Sequence, residues 1–271
     1  MSQYTTHMTA APNEPVLLRR DEGRVAILTL NRPKAMNALS GELIDALQAE
    51  FDRLAKDKEI RCVVIEANGR AFSAGHDLRE VRSSDDYGFH HDLMTRCSTM
   101  MMSIRRLPQP VIAKVHAIAT AAGCQLVAAC DLAVASADAK FATPGVNIGL
   151  FCGTPSVPLG RNVGSKRALD MLFTGEPISA ETALRDGLVS RVVPAADLDR
   201  ATMEVAQTIA TKSPLVLAQG KELFHKHMEM DVEQAYAYAT AFMAGAVKRE
   251  DAKLGIDAFV NKQGLPDWTG R

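Results

Sequence analysis

Two segments of the sequence have the residue types that could stabilise a developing negative charge. Residues 71–78 and residues 119–126 each run from an apolar stretch through small residues into a helical pattern. Glycines such as Gly75 and Gly123 let a ligand approach the backbone closely. Backbone N–H groups at the start of a helix lack an intrahelical partner and carry the positive end of the helix dipole. Two such groups that converge on one point form an oxyanion hole, although the same small residues could equally serve tight packing alone.

Other chemical motifs are absent or incomplete. No G-x-G-x-x-G pattern follows an expected strand, which argues against a dinucleotide site. Residues 160–167 resemble a phosphate loop, but the glycine spacing is one residue short and Arg167 stands where Ser or Thr would bind magnesium. Ser73 lies several residues beyond the end of the expected strand, so it does not fit a nucleophile elbow. The five cysteines form no C-x-x-C pair and are expected to be reduced core thiols, and no metal site is expected.

The composition narrows the classes of partner. The 31 Lys and Arg residues nearly balance the 32 Asp and Glu residues, and the net charge is −1. A near-neutral chain lacks the field that holds a polyanion, so neither nucleic acid nor a membrane surface is expected as a partner. Hydrophobic residues make up 47 %, enough for a large core, and no apolar run approaches the roughly 18 to 20 residues of a membrane span. Together with the reduced thiols, this composition predicts a cytoplasmic protein.

The pattern of apolar residues predicts the elements that position the two segments. Residues 16–19 and 25–30 are β-prone runs around a turn, which predicts a hairpin. Ser40 can cap a helix, because apolar residues follow it at helical spacing. Short β-branched runs predict buried strands at residues 62–66 and 111–115. Strands, turns and helices alternate up to about residue 160 and helices dominate beyond it, which indicates α/β layering followed by a helical region.

Three parts are therefore expected along the chain. The first fifteen residues are polar and lack an apolar core, so residues 1–15 are expected to form a disordered lead-in. Neither a secretory signal nor an Arg-rich transit peptide fits them. Residues 16–195 are expected to form the α/β core, and residues 196–271 a helical C-terminal region.

Five motifs occur in the order and spacing of one family. They resemble the signatures of the crotonase superfamily, also called the enoyl-CoA hydratase/isomerase family, and the likeness covers roughly residues 16–265. Each motif alone would be a weak signal, whereas the ordered set is specific. The motif segments are residues 31–39, 71–78, 122–131, 141–150 and 172–189. Residues 73–78, 121–128 and 141–152 further resemble the enoyl-CoA hydratase domain-containing protein 3 branch, whose members are named for their fold.

This resemblance implies a fold, a ligand and an assembly. The fold is an α/β, crotonase-like spiral of ββα turns with a helical C-terminal region that supports trimerisation, as a homotrimer or a dimer of trimers. The ligand is an acyl-CoA thioester, with coenzyme A as part of the substrate and no separate cofactor. The backbone N–H groups of His76 and Ala122 would hold the thioester oxygen, and only the backbone of His76 is needed for that role. The remaining positions implied to bind substrate or CoA are Lys34, Ala35, Ala38, Ala74, Asp77, Leu78, Gly153, Phe259 and Lys262.

Two departures from the family pattern concern the catalytic glutamates of its hydratases. Those glutamates position and activate a water, and here Gln125 and Gly145 occupy their positions. Glutamine can hold a water by hydrogen bonds but cannot accept a proton at useful pH, and glycine has no side chain. A general base contributes about 10² to 10⁴-fold in rate, so the loss of both glutamates should nearly abolish hydration. An enzyme that uses another proton-transfer group and a non-catalytic acyl-CoA binding protein therefore both stay open.

An enzyme of this kind needs a proton-transfer group from elsewhere in the chain. The sequence offers Asp77, Glu80, His90 and His91, or a water held by Gln125 and Asn147. Carboxylates such as those of Asp77 and Glu80 are also favoured at helix N-termini by the helix dipole. Adjacent histidines are equally typical of a solvated helix face. Asp131 matches an acid of the family that is expected to be structural.

Overall fold

The structure is a computed structural model that describes residues 14–271. The lead-in expected over residues 1–15 lies outside this range except for its last two residues. Within the described residues, the strands are β1 (Leu17–Glu22), β2 (Val25–Leu30), β3 (Cys62–Ala67), β4 (Ala71–Ser73), β5 (Val111–Val115), β6 (Ile118–Thr120), β7 (Leu132–Ser136), β8 (Lys140–Ala142), β9 (Ile178–Ser179) and β10 (Arg191–Val193).

The α-helices of the same range are α1 (Gly41–Leu54), α2 (Leu78–Val81), α3 (Tyr87–Arg106), α4 (Ala122–Ala129), α5 (Gly153–Asn162), α6 (Ser165–Thr174), α7 (Ala180–Arg185), α8 (Leu198–Ala210), α9 (Pro214–His227), α10 (Val232–Ala246) and α11 (Glu250–Val260). Short 3-10 helices lie at Pro33–Ala35, Pro144–Ile148 and Ala195–Asp197.

The strands form two sheets. The larger sheet has the order β1-β2-β3-β5-β7-β10, in which β1 and β2 form the predicted antiparallel hairpin and the other neighbours are parallel. The smaller sheet has the order β4-β6-β8-β9, with β9 antiparallel to its neighbour. The parallel neighbours require crossover connections, and helices supply them.

The two strands of each successive pair along the chain belong to different sheets. After β3 in the larger sheet the chain enters β4 in the smaller one, and the pairs β5–β6 and β7–β8 repeat this step. A helical segment follows each pair before the chain returns to the larger sheet. The chain therefore winds as a spiral of ββα turns, and the predicted α/β fold class is confirmed.

The main core lies between the two sheets and the helices of the spiral. Phe51, Phe72 and Phe141 are fully buried there. All six residues of β2 are buried, because a parallel strand covered on both faces has no solvent side. Leu198 and Val205 of α8 pack in a second cluster on the opposite face of the larger sheet. The larger sheet is therefore packed on both faces, and this packing supports the loops at its edge.

Helix α1 forms where the residue types predict it. Ser40 has extended backbone, and its hydroxyl accepts a hydrogen bond from the Leu43 N–H at 3.3 Å. A cap of this kind stabilises a helix by about 1 kcal/mol. Leu43, Leu47 and Leu54 then face the core at helical spacing. The helix thereby fixes one end of the preceding loop at residues 31–39, which carries the first motif.

The apolar pattern of the sequence does not predict two of the observed elements. β10 pairs with β7 at the edge of the larger sheet, although the sequence predicts almost no strand beyond residue 160. Its three residues are exposed or half-buried, so it lacks the apolar run that marks a buried strand. Helix α5 contains Pro155 and Pro158. Because proline is disfavoured inside a helix, the sequence pattern does not predict a helix here.

The helices that follow residue 196 differ from the rest in their burial. Neither α9 nor α10 has a buried residue, although many of their side chains are apolar. Lys221 anchors α9, because its ammonium binds the Asp131 carboxylate at 2.6 Å and the Ile104 carbonyl at 2.8 Å. Asp131 also accepts a hydrogen bond from the Val111 N–H at 2.7 Å, which is a structural role. The domain boundary at residue 195 stays a prediction.

A search of residues 14–271 for a helix that is both long and apolar enough to cross a membrane finds none.

Candidate active site

Three loops meet where the strands of the smaller sheet end. The Ala74 N–H donates to the Met36 carbonyl at 3.0 Å, and the Leu39 N–H donates to the Gly75 carbonyl at 2.7 Å. The Thr120 hydroxyl donates to the Ala74 carbonyl at 3.1 Å. Residues 31–39 and 71–78 are therefore joined by backbone hydrogen bonds, and the Thr120 side chain links the segment at residues 119–126 to them.

Glycines allow two of these loops to approach each other without side chains between them. A Cβ on Gly123 would lie 2.3 Å from the Ser73 carbonyl oxygen. A Cβ on Gly75, which has φ +89°, would lie 3.1 Å from the Ala122 amide nitrogen. Standard bond lengths then place the amide nitrogens of His76 and Ala122 within about 7 Å of each other. The Ala122 amide is the first of α4, where N–H groups lack intrahelical partners.

Ala121 holds α4 in this position with a strained backbone. Its φ of 49° and ψ of −120° lie in a region that is essentially reserved for glycine. Its N–H donates to the Ala142 carbonyl at 2.9 Å, and its carbonyl accepts from the Gln125 N–H at 3.0 Å. Strain of this type costs about 1–3 kcal/mol and persists only where the surroundings fix the conformation.

Several buried polar atoms without partners lie on the motif segments. Gln125 is 4 % exposed on α4, and its side-chain oxygen is buried without a hydrogen-bond partner. The Thr143 hydroxyl and both ring nitrogens of His76 are in the same state. Of seven such atoms in the described range, four belong to these three residues of the motif segments. Unpaired buried polar atoms are rare in native proteins, so their occurrence on three of the motif segments marks these segments as a candidate functional site.

The position of the second family glutamate is closed. Gly145 is buried, and its N–H donates to the Cys152 thiol at 3.3 Å. A Cβ at this position would lie 2.6 Å from the Leu150 carbonyl oxygen and 2.9 Å from the Cys152 sulfur. The loop that follows Gly145 therefore fills the space that any side chain would need. The sequence shows the missing carboxylate but not this closure.

The two acids near the site are engaged in structural contacts. The Asp77 carboxylate binds the Arg32 guanidinium at 2.9 Å and accepts from the Arg79 N–H at 3.1 Å. Burial opposes ionisation of Asp77, but these hydrogen bonds prevail and hold the pKa of its carboxyl below the ordinary value. The Glu80 carboxylate accepts from the Gly41 N–H at 2.9 Å. It thus caps α1, whereas the sequence places it only at the start of its own helix.

The other proton-transfer candidates have contacts elsewhere. His90 packs against Phe89 and the exposed His91 against Tyr87, all on α3. The Asn147 side chain is exposed and lies against the end of α6. A Cβ on Gly175 there would be 2.9 Å from its amide nitrogen. These contacts do not place the side chains at Gln125.

The positions implied to bind CoA fall into two groups. One group lies on the loops that meet at the site: Lys34, Ala35, Ala38, Ala74, Asp77 and Leu78. Phe259 and Lys262 lie instead at the end of α11, where Phe259 is 86 % exposed. That helix is fixed by Asp251, whose carboxylate binds the Ser213 hydroxyl at 2.5 Å. Gly153 opens α5, and a Cβ there would meet nothing within 4 Å.

The five cysteines are free and buried. Burial raises the pKa of the thiols, to about 12 for Cys62, Cys97 and Cys124. They stay protonated at neutral pH, so none is a nucleophile there. Cys152, which contacts Gly145, also has its pKa raised by burial.

Comparisons with known proteins identify the family. The model of the enoyl-CoA hydratase/isomerase family matches residues 20–271. The chain is 44 % identical over 250 residues to the mouse (Mus musculus) enoyl-CoA hydratase domain-containing protein 3, covering 92 % of this chain and 83 % of the relative. Its human counterpart is 45 % identical over 255 residues, covering 94 % and 84 %. The predicted likeness to this branch is confirmed.

Solved structures of related proteins have the same fold as this chain. A structure described as an enoyl-CoA hydratase of Mycobacterium smegmatis superimposes with a TM-score of 0.91 and 50 % identity, covering 94 % of this chain and 99 % of that one. Human enoyl coenzyme A hydratase domain-containing protein 3 gives a TM-score of 0.91 at 44 % identity, covering 93 % and 100 %.

The predicted cytoplasmic location is wrong by the same comparisons. The mouse and human relatives are both named as mitochondrial proteins. Net charge and buried thiols do not distinguish one reducing compartment from another, which is why composition misleads here. In its matched range, its fold and its motifs, the chain belongs to the enoyl-CoA hydratase/isomerase family, the crotonase superfamily.

Proposed function

We propose that this protein binds acyl-CoA thioesters and polarises the thioester carbonyl with the backbone N–H groups of His76 and Ala122. The observation that carries this proposal is the close approach of Gly75 to the Ala122 amide at the start of α4. Two backbone donors held by rigid elements stabilise an oxyanion or enolate without reorganisation during the reaction. Coenzyme A would follow the loops that carry Lys34, Ala38 and Leu78, and no separate cofactor is needed.

The replacement of the two glutamates limits the reactions that this site could catalyse. Gln125 cannot accept a proton, and the closed loop around Gly145 leaves no room for a carboxylate. Hydration of an enoyl thioester at an ordinary rate is therefore not proposed. Chemistry that passes through an enolate needs only the oxyanion hole and one proton carrier. A non-catalytic acyl-CoA binding protein is the second candidate, and the closure at Gly145 is the observation that favours it.

We also propose that the protein assembles as a homotrimer or a dimer of trimers. Apolar side chains on α9 and α10 face solvent in the single chain, and Val232 and Tyr236 are more than 70 % exposed. Large exposed apolar patches mark interaction surfaces. The family likeness supplies the trimeric form.

Calorimetry with crotonyl-CoA tests the binding site. Wild-type protein should bind crotonyl-CoA, and Gly75→Ala should weaken binding at least tenfold. The added Cβ would lie 2.8 Å from the Ala121 Cβ and 3.1 Å from the Ala122 amide nitrogen. Gly23→Ala is the matched control, because Gly23 also has positive φ (+61°) but a Cβ there meets nothing within 4 Å. Absence of binding by wild-type protein, or equal loss in both variants, would contradict the proposal.

A further inference from the structure

A cavity of about 780 Å³ lies at the end of the larger sheet where β2 and β3 begin. Its walls are the turn between β1 and β2, Arg61 before β3, the end of α8 and the C-terminal residues 266–268. The motif loop at residues 31–39 follows the other end of β2, and the six residues of that strand separate the two places by about 20 Å. The cavity has the size of small-molecule sites and takes no part in the proposed binding of the thioester.

Two arginines lie side by side in this cavity. The Arg61 N–H donates to the Arg24 carbonyl at 2.8 Å, and the residues that follow them, Val25 and Cys62, are partners in the parallel pairing of β2 with β3. Neighbouring strands are about 4.7–4.9 Å apart, so the two guanidinium groups start from adjacent backbone positions. Both residues line the cavity, and two adjacent positive charges favour the binding of an anion there.

Carbonyl groups fix the Arg61 side chain but leave its charge without a paired carboxylate in the described range. Its Nη1 group donates to the carbonyls of Ala210 at 3.3 Å and Lys212 at 3.4 Å, whereas its buried Nε has no hydrogen-bond partner. Burial and the charge of Arg24 lower the pKa of Arg61, and the opposing effect of two carboxylates does not offset this. A guanidinium can bind a phosphate through two N–H groups at once, and such donors remain available here.

The acids in the walls of the cavity do not pair with these arginines. The carboxylate of Glu22 binds Arg20 at 3.3 Å. Asp267 lies in the C-terminal wall, and among residues 14–271 no ion pair joins it to Arg24 or Arg61. An ionised carboxylate only accepts hydrogen bonds, so Asp267 suits the hydroxyl or amino groups of a ligand and not its anionic end.

Trp268 adds an aromatic wall with a fixed orientation. Its Nε1–H donates to the Thr211 carbonyl at 2.7 Å, and a Cβ on Gly255 would lie 3.3 Å from two carbons of its six-membered ring. Both rings of the indole are therefore held in place, and the side chain lines the cavity together with the arginines. The bases of nucleic acids stack on aromatic side chains of this kind.

We propose that this cavity binds a nucleoside phosphate. Arg24 and Arg61 bind the phosphate oxygens, the planar base stacks on Trp268, and Asp267 accepts a hydrogen bond from a hydroxyl or amino group of the ligand. The cavity is thus a ligand site of its own, separate from the candidate active site.

Guanosine monophosphate (GMP) is the probe for this site, and Trp268, the one tryptophan of the sequence, is the reporter. Calorimetry should show one GMP bound per chain, and GMP should quench the tryptophan emission over the same range of concentration. Guanosine lacks the phosphate and inorganic phosphate lacks the base, so each should bind at least tenfold more weakly. Absence of GMP binding, equal binding by either fragment, or binding without a change in emission would overturn the proposal.

Arg24→Gln tests the role of the arginine pair. The Arg24 side chain is exposed and forms no ion pair among residues 14–271, so its replacement should leave the fold intact and weaken GMP binding at least tenfold. Arg106→Gln is the matched control, because Arg106 is also exposed but lies at the end of α3, outside the cavity, and its loss should leave GMP binding unchanged. Saturating crotonyl-CoA should not displace GMP. Equal loss in both variants, wild-type affinity in Arg24→Gln, or displacement by crotonyl-CoA would argue against a separate nucleotide site.

Discussion

At the scale of single residues, Gln125 differs from a glutamate only in carrying an amide NH₂ group in place of one carboxylate oxygen. Its oxygen is buried without a partner on α4, where the hydratases of the family carry a glutamate. Glutamate has the same shape as glutamine, so the site can accept the exchange sterically. A buried carboxylate without a cation has a raised pKa, which suits a general base or acid near neutral pH.

Gln125→Glu should therefore increase the hydration of crotonyl-CoA by about tenfold to a hundredfold over wild-type protein. The gain stays small against a true hydratase, because Gly145 still contributes no carboxylate. Loss of the enoyl absorbance measures the rate. Gln219→Glu is the control: its side-chain oxygen is also buried without a partner, but on α9. An unchanged rate in Gln125→Glu, or wild-type turnover at an ordinary hydratase rate, would show that the missing carboxylates do not limit hydration.

At the scale of elements, a polar row ties four strands of the larger sheet together. Glu66 on β3 is buried, accepts a hydrogen bond from the Thr29 hydroxyl of β2 at 2.8 Å, and pairs with Arg20 of β1 and Lys114 of β5. Lys114 also binds Asp199 of α8 at 2.5 Å. Burial opposes ionisation of Glu66, but its partners prevail and lower the pKa of its carboxyl to about 2.

This row predicts a defined acid sensitivity. The pKa of Glu66 is lower in the folded chain than in the unfolded one, so the ionised form stabilises the fold above about pH 4.5. That contribution is lost as the pH falls toward 2. Glu66→Gln should lower the free energy of unfolding by roughly 3 kcal/mol at pH 7, with the difference shrinking below about pH 4.5. Chemical denaturation at several pH values measures it.

Glu22→Gln serves as the comparison for this variant. Glu22 pairs with the same Arg20 at 3.3 Å, but both side chains are about half exposed. Its replacement should change stability by less than about 1 kcal/mol at any pH. A loss in Glu66→Gln that is equally large at pH 3 and pH 7 would argue against the ionised pair as its cause.

Local residue types predict much of the fold, and long-range geometry accounts for what they miss. Ser40 and the apolar spacing behind it predict α1, because caps and periodicity act within one turn. The division into two sheets depends on pairings such as that of β4 with β6, which no local pattern encodes. The same limit applies at the site: Gly123 signals close backbone approach, whereas Ala121 gives no sign of its positive φ.

At the scale of the whole molecule, the single chain leaves its C-terminal helices only partly covered. Lys221 anchors α9 to Asp131, and Asp251 holds the last residues by accepting from the Thr269 N–H at 2.7 Å. These polar anchors fix the helices, while apolar side chains such as Phe224 and Tyr236 remain exposed. A partner surface that covers them would bury apolar area and stabilise the assembly.

Light scattering should therefore report three or six chains per particle for wild-type protein. Tyr236→Glu should shift the mass toward a single chain, because a carboxylate in the apolar contact is costly to bury. Tyr87→Glu is the control, since Tyr87 is similarly exposed but lies on α3. A monomeric wild-type protein would contradict the assembly, and dissociation by Tyr87→Glu alone would place the contact elsewhere.

The closed loop around Gly145 also constrains the order in which this site could change over generations. A substitution that restores a side chain there meets the Leu150 carbonyl and the Cys152 sulfur before it can help a reaction. Such a change would first disturb the packing of this loop and destabilise the fold. Only after residues 150–152 had moved would a carboxylate at position 145 be tolerated, whereas one at position 125 meets no such barrier. A site with glutamates at both positions would therefore require the loop to change before the residue that it surrounds.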